Sequence, residues 1–578
     1  MQIASLGALR PRQLAWSQFR FPDLAVTLGT LLLLYVVARV GSESLVRFNP
    51  PHYVPLIKLD PVNLPNYAAR STLRMFVALG FSLVFSLVYG YVAAKSRLAE
   101  RLLVPLLDVL QSVPVLGFLS VTVTAFIALF RGSLLGLEAA AIFAIFTGQA
   151  WNMTFSFYQS LRTVPHELVE MSTLYRLSAW ERFTRLELPS SVIGLTWNAM
   201  MSFGGGWFFL AASENITVLN TSYTLPGLGS YVAAAVAAKD LKALAWAIAT
   251  MIVLIVAIDQ FFWRPLVTLV DIYKLDTNKG ETARFWVNDL WNAARVPKYI
   301  LRLSRSAFVQ LDAFLSRATA VRNARPSVKR EAEPDRLFNA LVHLLTAALG
   351  VATAWFAIRS VGIQEVIRAA VLGLATFGRV LFLIALSTII WAPIAVIIGF
   401  RPKLARVSQP IVQIFASFPA NFLFPLAALA FLRFKISLNW GSILLMALGS
   451  QWYLLFNLIG GAQSIPNDLR ELSANLGLHG IRAWKSLIGP GIFASWVTGG
   501  ITASGGAWNA SIVSEIVYWG NKRLTAQGLG AYIADATSKG DWPRIVLGVG
   551  TMSIFVVTFN RLIWRRLYSL SEDRYRLA

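Results

Sequence analysis

The chain reads as an all-α polytopic membrane protein built from two tandem six-helix halves, with about twelve membrane-crossing helices in all. Three observations predict this. Of 578 residues, 56% are hydrophobic and 14% charged, and the mean hydropathy is +0.59; a soluble protein carries about 25% charged residues. Apolar runs long enough to cross roughly 30 Å of hydrocarbon recur along the chain. The third observation is a repeat. Gly148, Trp151, Pro165, Glu170, Ser213-Glu214, Gly227-Leu-Gly229, Asp240 and Trp263-Arg264 return 301 residues later as Gly449, Trp452, Pro466, Glu471, Ser514-Glu515, Gly528-Leu-Gly530, Asp541 and Trp564-Arg565. A shared offset across so many positions marks an internal duplication.

The expected spans of the first half are Leu24–Val46, Thr72–Ala94, Val104–Phe130, Leu134–Tyr158, Pro189–Ser213 and Leu241–Val267. Those of the second are Leu337–Arg359, Arg379–Phe400, Pro410–Leu432, Trp440–Gly461, Gly491–Val517 and Ile545–Leu567. Upstream of the repeat, Pro105 and Pro114 match Pro410 and Pro419 at an offset of 305. The first half therefore has four more residues in the turn near Arg131–Gly136. This divides the chain into a first half (1–270), a linker (271–335) and a second half (336–578).

Net charge is +23 and the pI about 10.4. The basic residues sit at loop ends, among them Lys95, Arg101, Arg162, Arg182, Arg401, Lys403, Arg482 and Arg566. That distribution suits positive-inside loops facing anionic lipid rather than nucleic acid. With both halves starting and finishing on one side, the termini and both repeated loops (163–189 and 464–490) are expected in the cytoplasm. The absence of cysteine excludes disulfides and thiolate chemistry, and four histidines without paired spacing argue against a histidine metal site. In the linker, Ile300, Leu303, Ala307, Leu311 and Phe314 fall at helical spacing, which predicts an amphipathic helix in the cytoplasmic interface. Asn323–Asp335 reads as a tether.

The repeated loops carry the chemistry. The first runs Pro165-His-Glu-Leu-Val-Glu170-Met-Ser172, then Arg176, then Leu186-Glu-Leu-Pro189. The second runs Pro466-Asn-Asp-Leu-Arg-Glu471-Leu-Ser473, then Gly477, then Leu487-Ile-Gly-Pro490. A short rigid helix between two spans, with acid near its start to meet the helix dipole and proline opening the next span, suits a lever. This pattern resembles the cytoplasmic coupling loop of ATP-binding-cassette importer permeases: Glu-Ala-Ala, a later glycine, and an apolar-x-Leu-Pro close. Arg176 stands where the glycine belongs in the first copy, and Gly489 replaces the leucine before Pro490 in the second.

The resemblance implies two type I importer permease halves in one chain, not an enzyme itself. Glu170, Ser172, Arg176 and Pro189, with Glu471, Ser473, Gly477 and Pro490, would couple to an ATPase. No Gly-x-x-x-x-Gly-Lys-Ser/Thr loop occurs in the chain. It would carry no cofactor of its own, ATP and Mg belonging to two copies of a separate cytoplasmic ATPase; an extracytoplasmic solute-binding protein and the lipid bilayer complete the partners. The implied location is the bacterial inner membrane.

Within that superfamily the Gly-rich fifth spans and the Gly-Leu-Gly elements look like the nitrate, sulfonate, taurine and bicarbonate group, implying a small anion as solute. Ser202, Gly204, Gly205, Trp207 and Glu214, with Ser504, Gly505, Gly506, Trp508, Asn509 and Glu515, are the expected residues along the path. Glu214 and Glu515, poor anion ligands, suit an outer gate or binding-protein contact. Alternatives are a duplicated ferric-iron or thiamine permease, or a twelve-span secondary transporter. The last usually requires embedded ionisable groups, and these spans offer Asp108, Glu138 and Asp259.

Overall fold

The computed structural model describes residues 21–43, 56–112, 114–218, 221–270, 286–293, 309–319, 355 and 358–574. The helices of the first half are α1 (Phe21–Glu43), α2 (Leu64–Lys95), α3 (Arg97–Ser112), α4 (Leu119–Leu129), α5 (Leu135–Arg162), α6 (His166–Leu174), α7 (Leu188–Ser213), α8 (Leu228–Ala238), α9 (Leu241–Ile258) and α10 (Arg264–Val270). The linker contributes α11 (Trp286–Ala293) and a further helical stretch over 309–318. The second half has α12 (Ile363–Gly399), α13 (Pro402–Ser417), α14 (Phe424–Phe434), α15 (Leu438–Ser464), α16 (Asn467–Asn475), α17 (Gly489–Ser514), α18 (Leu529–Lys539), α19 (Trp542–Phe559) and α20 (Arg565–Arg574). Helices α2 to α10 correspond one for one with α12 to α20, which is the duplication the sequence predicts.

Among the described residues, six helical runs are long and apolar enough to cross a membrane: Pro22–Arg39, Pro61–Lys95, Leu241–Val270, Ile363–Gly399, Leu438–Ser464 and Trp542–Ser571. Helices α5, α7 and α17 are 28, 26 and 26 residues long, about 40 Å at 1.5 Å per residue. Their stretches are more polar because they pack in the interior, where glycine, serine and asparagine face other helices rather than lipid.

Two expected spans are corrected. Val104–Phe130 is two helices, α3 and α4, separated by Pro114 and a 3₁₀ turn at Val115–Gly117. Pro410–Leu432 is likewise split into α13 and α14 at Pro419, with a 3₁₀ turn at Ala420–Phe422. Proline lacks the N–H and forces an extended residue before it, and Phe418 is extended accordingly (φ −72°, ψ 126°). The expected span Leu337–Arg359 and the tether lie almost entirely outside the described residues. The all-α reading needs one addition: antiparallel hairpins β1–β2 (Asn215–Val218, Thr221–Thr224) and β3–β4 (Ile516–Trp519, Lys522–Thr525) follow α7 and α17.

The halves interlock. The core of the first half takes in Phe422, Phe424 and Phe431 around α14, with Val517 and Trp519 from β3. The core of the second takes in Val115, Leu116, Leu119 and Val123 around α4, and Leu225. Polar bonds fix the crossing: Val115 N donates to Asn509 Oδ1 at 2.9 Å, Asn421 Nδ2 to Phe208 O at 3.3 Å, and Gly520 N to Val236 O at 3.2 Å. The proline breaks thus send the second piece of each split span into the opposite half.

Each half also buries an arginine–glutamate pair. Arg74 Nη1 meets Glu214 Oε1 at 2.7 Å, and Arg74 also holds Glu138 with Nε–Oε2 2.5 Å and Nη2–Oε1 2.7 Å. Glu214 further accepts from Ser71 Oγ (2.6 Å) and from Gly229 N (2.6 Å) at the start of α8, while Leu228 N donates to Ser71 Oγ (3.0 Å). In the second half Arg379 Nη1 meets Glu515 Oε1 at 2.7 Å, Thr376 Oγ1 donates to Glu515 (2.8 Å) and accepts from Leu529 N (2.9 Å), and Ala531 N donates to Glu515 Oε2 (3.1 Å). Asn439 replaces Glu138, receiving Arg379 Nε on its carbonyl (3.0 Å) and Nη2 on Oδ1 (3.1 Å).

The Gly-Leu-Gly elements make room for these carboxylates. A Cβ on Gly227 would lie 2.2 Å from Glu214 Oε1, and one on Gly528 2.2 Å from Glu515 Oε2. Breaking one partner of a buried pair costs about 3–5 kcal/mol. Arg74→Met strands two carboxylates and Arg379→Met only one. We expect Arg74→Met to lower the melting temperature of the detergent-solubilised protein further than Arg379→Met; equal losses would contradict the difference between Glu138 and Asn439.

Candidate functional site

The two repeated loops fold alike. Helices α6 and α16 begin after Pro165 and Pro466, and Ser172 and Ser473 are buried against the loop while Glu170 and Glu471 are exposed. Glu170 is two-thirds exposed, with His166 Nδ1 3.5 Å away, so its charge contributes little to the fold and is free for a partner. Each helix ends in a Schellman motif. Leu177 N donates to Ser172 O (3.1 Å) and Arg176 N to Thr173 O (3.0 Å); Leu478 N donates to Ser473 O (3.0 Å) and Gly477 N to Ala474 O (3.0 Å). The turn residue is left-handed in both, with φ 65° at Gly477 and φ 51° at Arg176. The substitution that looked like a lost glycine therefore keeps the same backbone, with arginine bearing the steric cost.

Beyond the turn the loops differ. Ser178 and Glu181 form a capping box in the first, Ser178 Oγ accepting from Glu181 N (3.2 Å) and Glu181 Oε2 from Ser178 N (3.0 Å). The Ser178 backbone and side-chain hydrogen bonds hold the Glu181 carboxyl below its ordinary range. In the second loop Gly480 (φ 56°) opens the corresponding turn without a side-chain cap. Both loops rejoin the bundle through a π turn, Phe183–Glu187 and Trp484–Ile488, immediately before Pro189 and Pro490. The wider turn accommodates a proline that cannot donate into an ordinary α ladder. Glu187, buried in the first π turn, is held by Lys95 and by Arg182 at 2.8 Å; Ile488 occupies its place in the second.

Away from the loops, a cavity of about 230 Å³ lies between the halves, lined by both. Of the expected path residues, Ser202, Gly205, Ser504, Gly505, Gly506 and Asn509 line it. Gly205 keeps it open, since a Cβ there would sit 2.8 Å from Tyr453 Oη, and nothing lies within 4 Å of a Cβ on Gly505. No charged side chain is among the lining residues. Two buried polar atoms in the lining, Ser202 Oγ and Trp564 Nε1, have no hydrogen-bond partner among the described residues. Such atoms suit a transient polar guest.

Five expected path residues are corrected. Glu214 and Glu515 are fully buried in the ion pairs described above and line neither the cavity nor an outer surface. Trp207 and Trp508 are core side chains, 2% and 1% exposed; Trp508 stacks on Phe377 (6.2 Å). Gly204 serves close packing across the halves, for a Cβ there would lie 2.6 Å from Ser417 Oγ. Sequence reasoning also missed Thr147, Asn152, Asn198, Tyr453, Asn560 and Trp564 in the lining. Neutral amides and hydroxyls scattered over several helices carry no spacing signal. Arg74 and Arg379 were missed as well, although a signal was there: two arginines in apolar runs at the 305-residue offset of the prolines. Of the three embedded acids, Glu138 is taken up by Arg74 and Asp259 by Arg264 at 2.9 Å, while the Asp108 side chain lies outside what the structure describes.

A family model described as binding-protein-dependent transport system inner membrane component matches residues 86–262 and 391–576, one match in each half and more than half of the chain together. The chain is similar to a nitrate import permease protein of Leptolyngbya laminosa, 26% identical over 149 residues, or 26% of this chain and 50% of that protein. It is also similar to a bicarbonate transport system permease protein of Synechocystis sp., 27% identical over 176 residues, or 30% of this chain and 60% of that protein. The chain thus spans about half to three-fifths of the length of these relatives.

The shared turn geometry has a measurable consequence. A left-handed backbone costs a side-chain-bearing residue about 1 kcal/mol relative to glycine. Arg176→Gly should therefore slow amide exchange at Leu177, and Gly477→Ala should speed it at Leu478, each by about fivefold. A change in the reverse direction at either turn would show that the left-handed residue there does not carry the cost assigned to it.

Proposed function

We propose that this chain, which belongs to the family of binding-protein-dependent transport system inner membrane components, is the pore-forming subunit of an ATP-driven importer. Its two halves make one solute pathway between them, and α6 and α16 each dock one copy of a cytoplasmic ATPase. A solute-binding protein delivers the solute on the hairpin side. The observation that carries the reading is the pair of matched helices, ending in the same Schellman motif with exposed Glu170 and Glu471, one in each of the two halves that together line a shared cavity. The basic loop ends support a cytoplasmic location for both docking helices and both termini.

The solute in this reading is a small anion. The relatives' names, nitrate and bicarbonate permeases, support it. The lining chemistry agrees: hydroxyl, amide and indole groups offer hydrogen bonds without a fixed positive charge, so an anion is met but not trapped, as conduction requires. A ferric-ion pathway would favour carboxylates, and none is among the lining residues. Ion-coupled secondary transport would want free embedded acids, whereas Glu138 and Asp259 are paired.

Coupling is tested by charge reversal. Glu170→Lys and Glu471→Lys, in the transporter reconstituted with its ATPase and binding protein, should each lower stimulated ATP hydrolysis about tenfold, the worth of one charged hydrogen bond. Undiminished ATP-driven uptake in the double variant would reject the assignment. The pathway is tested by filling it. Gly205→Leu with Gly506→Leu should abolish uptake of labelled nitrate, bicarbonate or sulfonate while the protein still assembles with its ATPase; uptake at the original rate would place the path elsewhere.

A further inference from the structure

A linker segment, 309–319, lies against the first motif loop, helical over 309–318. Trp180 Nε1 donates to Asp312 Oδ1 at 2.8 Å, Trp180 N to Thr319 Oγ1 at 3.2 Å, and Ala179 N to Thr319 O at 3.4 Å. Together with Ser178 Oγ on Glu181 N, these bonds account for the first three N–H groups of the short helix Ala179–Arg182, none of which has a helical acceptor. The linker therefore completes the cap of the loop. The equivalent positions of the second loop are Gly480 and Ile481, which has no indole N–H to offer. No hydrogen bond from the linker reaches that loop among the described residues, and Ile481 is 75% exposed.

We propose that segment 309–319 is a built-in part of the first ATPase docking site, so that the first half offers a two-helix surface and the second half a single coupling helix. This rests on the coupling reading above. The segment is hydrogen-bonded to the strip of chain that returns α6 to the bundle, so its surface continues that of the coupling helix. It also exposes Val309, Leu311 and Phe314, while the loop exposes Tyr175 and Leu174. Clustered exposed apolar side chains beside a docking helix fit a protein partner. A capped loop is also the stiffer lever. The two docking sites then differ in both contact area and rigidity, although their coupling helices share one backbone.

The chain has no cysteine, so single substitutions report one place each. Tyr175→Cys and Leu476→Cys mark matched points on the two loops, and Phe314→Cys marks the linker. Each is labelled with a membrane-impermeant maleimide in the reconstituted permease, with and without bound ATPase. The ATPase should protect all three positions. Adding Trp180→Phe and Asp312→Ala should raise labelling at position 314 by up to about tenfold, the loss of one hydrogen bond to a charged group, and leave position 476 protected. Trp180→Phe keeps an aromatic ring but no N–H, whereas Asp312→Asn with Trp180 retained keeps both the donor and an acceptor oxygen and should preserve protection; loss of protection in that variant would count against the contact. Protection at 175 and 476 but not at 314 overturns this proposal and leaves the coupling reading intact. Protection at none of the three rejects the coupling reading itself. Protection at 314 by the vesicle bilayer before ATPase is added would make the segment a lipid-surface helix, and that too overturns the proposal.

Discussion

A guanidinium buried among apolar helices persists only where carboxylates and hydrogen bonds replace its water, because an unpaired buried charge costs several kcal/mol. That constraint organises each half of this protein. Arg74 and Arg379 rise from the matched helices α2 and α12 and meet Glu214 and Glu515 at the ends of α7 and α17. The same carboxylates receive backbone N–H groups from the starts of α8 and α18. Three elements distant in sequence are thereby held at one point. The hairpin that follows each glutamate must turn back at once, because the residues after it return to cap that same side chain. Glycine at 227 and 528 is the space this closure requires.

With each half pinned at that point, the split spans become intelligible. A continuous helix through Pro114 or Pro419 would stay within its own half. The proline break redirects α4 and α14 into the opposite core, and the interlocked surfaces leave a cavity where Gly205, Gly505 and Gly506 withhold side chains. The cavity is thus a property of neither half alone. Its lining mixes unlike residues from equivalent positions, Asn152 facing the role that Tyr453 takes in the second copy, so a duplicated scaffold encloses an unsymmetrical space.

Duplication with drift also describes the motif loops. The backbone of the turn is conserved through φ rather than through residue type, since arginine at 176 adopts what glycine adopts at 477. Chemistry around that turn has diverged: a capping box and a buried Glu187 on one side, a bare glycine cap and Ile488 on the other. The two loops thus share one backbone geometry in unequal surroundings.

Composition, apolar run length and the repeat offset determined by themselves that this is a membrane protein of two homologous helical halves, and where its matched loops lie, because hydrophobic length and repetition are local properties of a chain. The expected positions of Glu170, Glu471, Pro189 and Pro490 in those loops were legible for the same reason. The fates of Glu214, Trp207 and Gly204 were not. A glutamate at the end of an apolar span reads equally as a gate or as an ion-pair partner until the arginine 140 residues away is brought to it. A glycine run reads equally as a solute space or a packing seam until the opposing half supplies Ser417 at one position and Tyr453 at the next. Which face a residue turns to its neighbours, and therefore whether it packs, pairs or lines a path, was decided by contacts between segments far apart in sequence, and only the tertiary structure contains them.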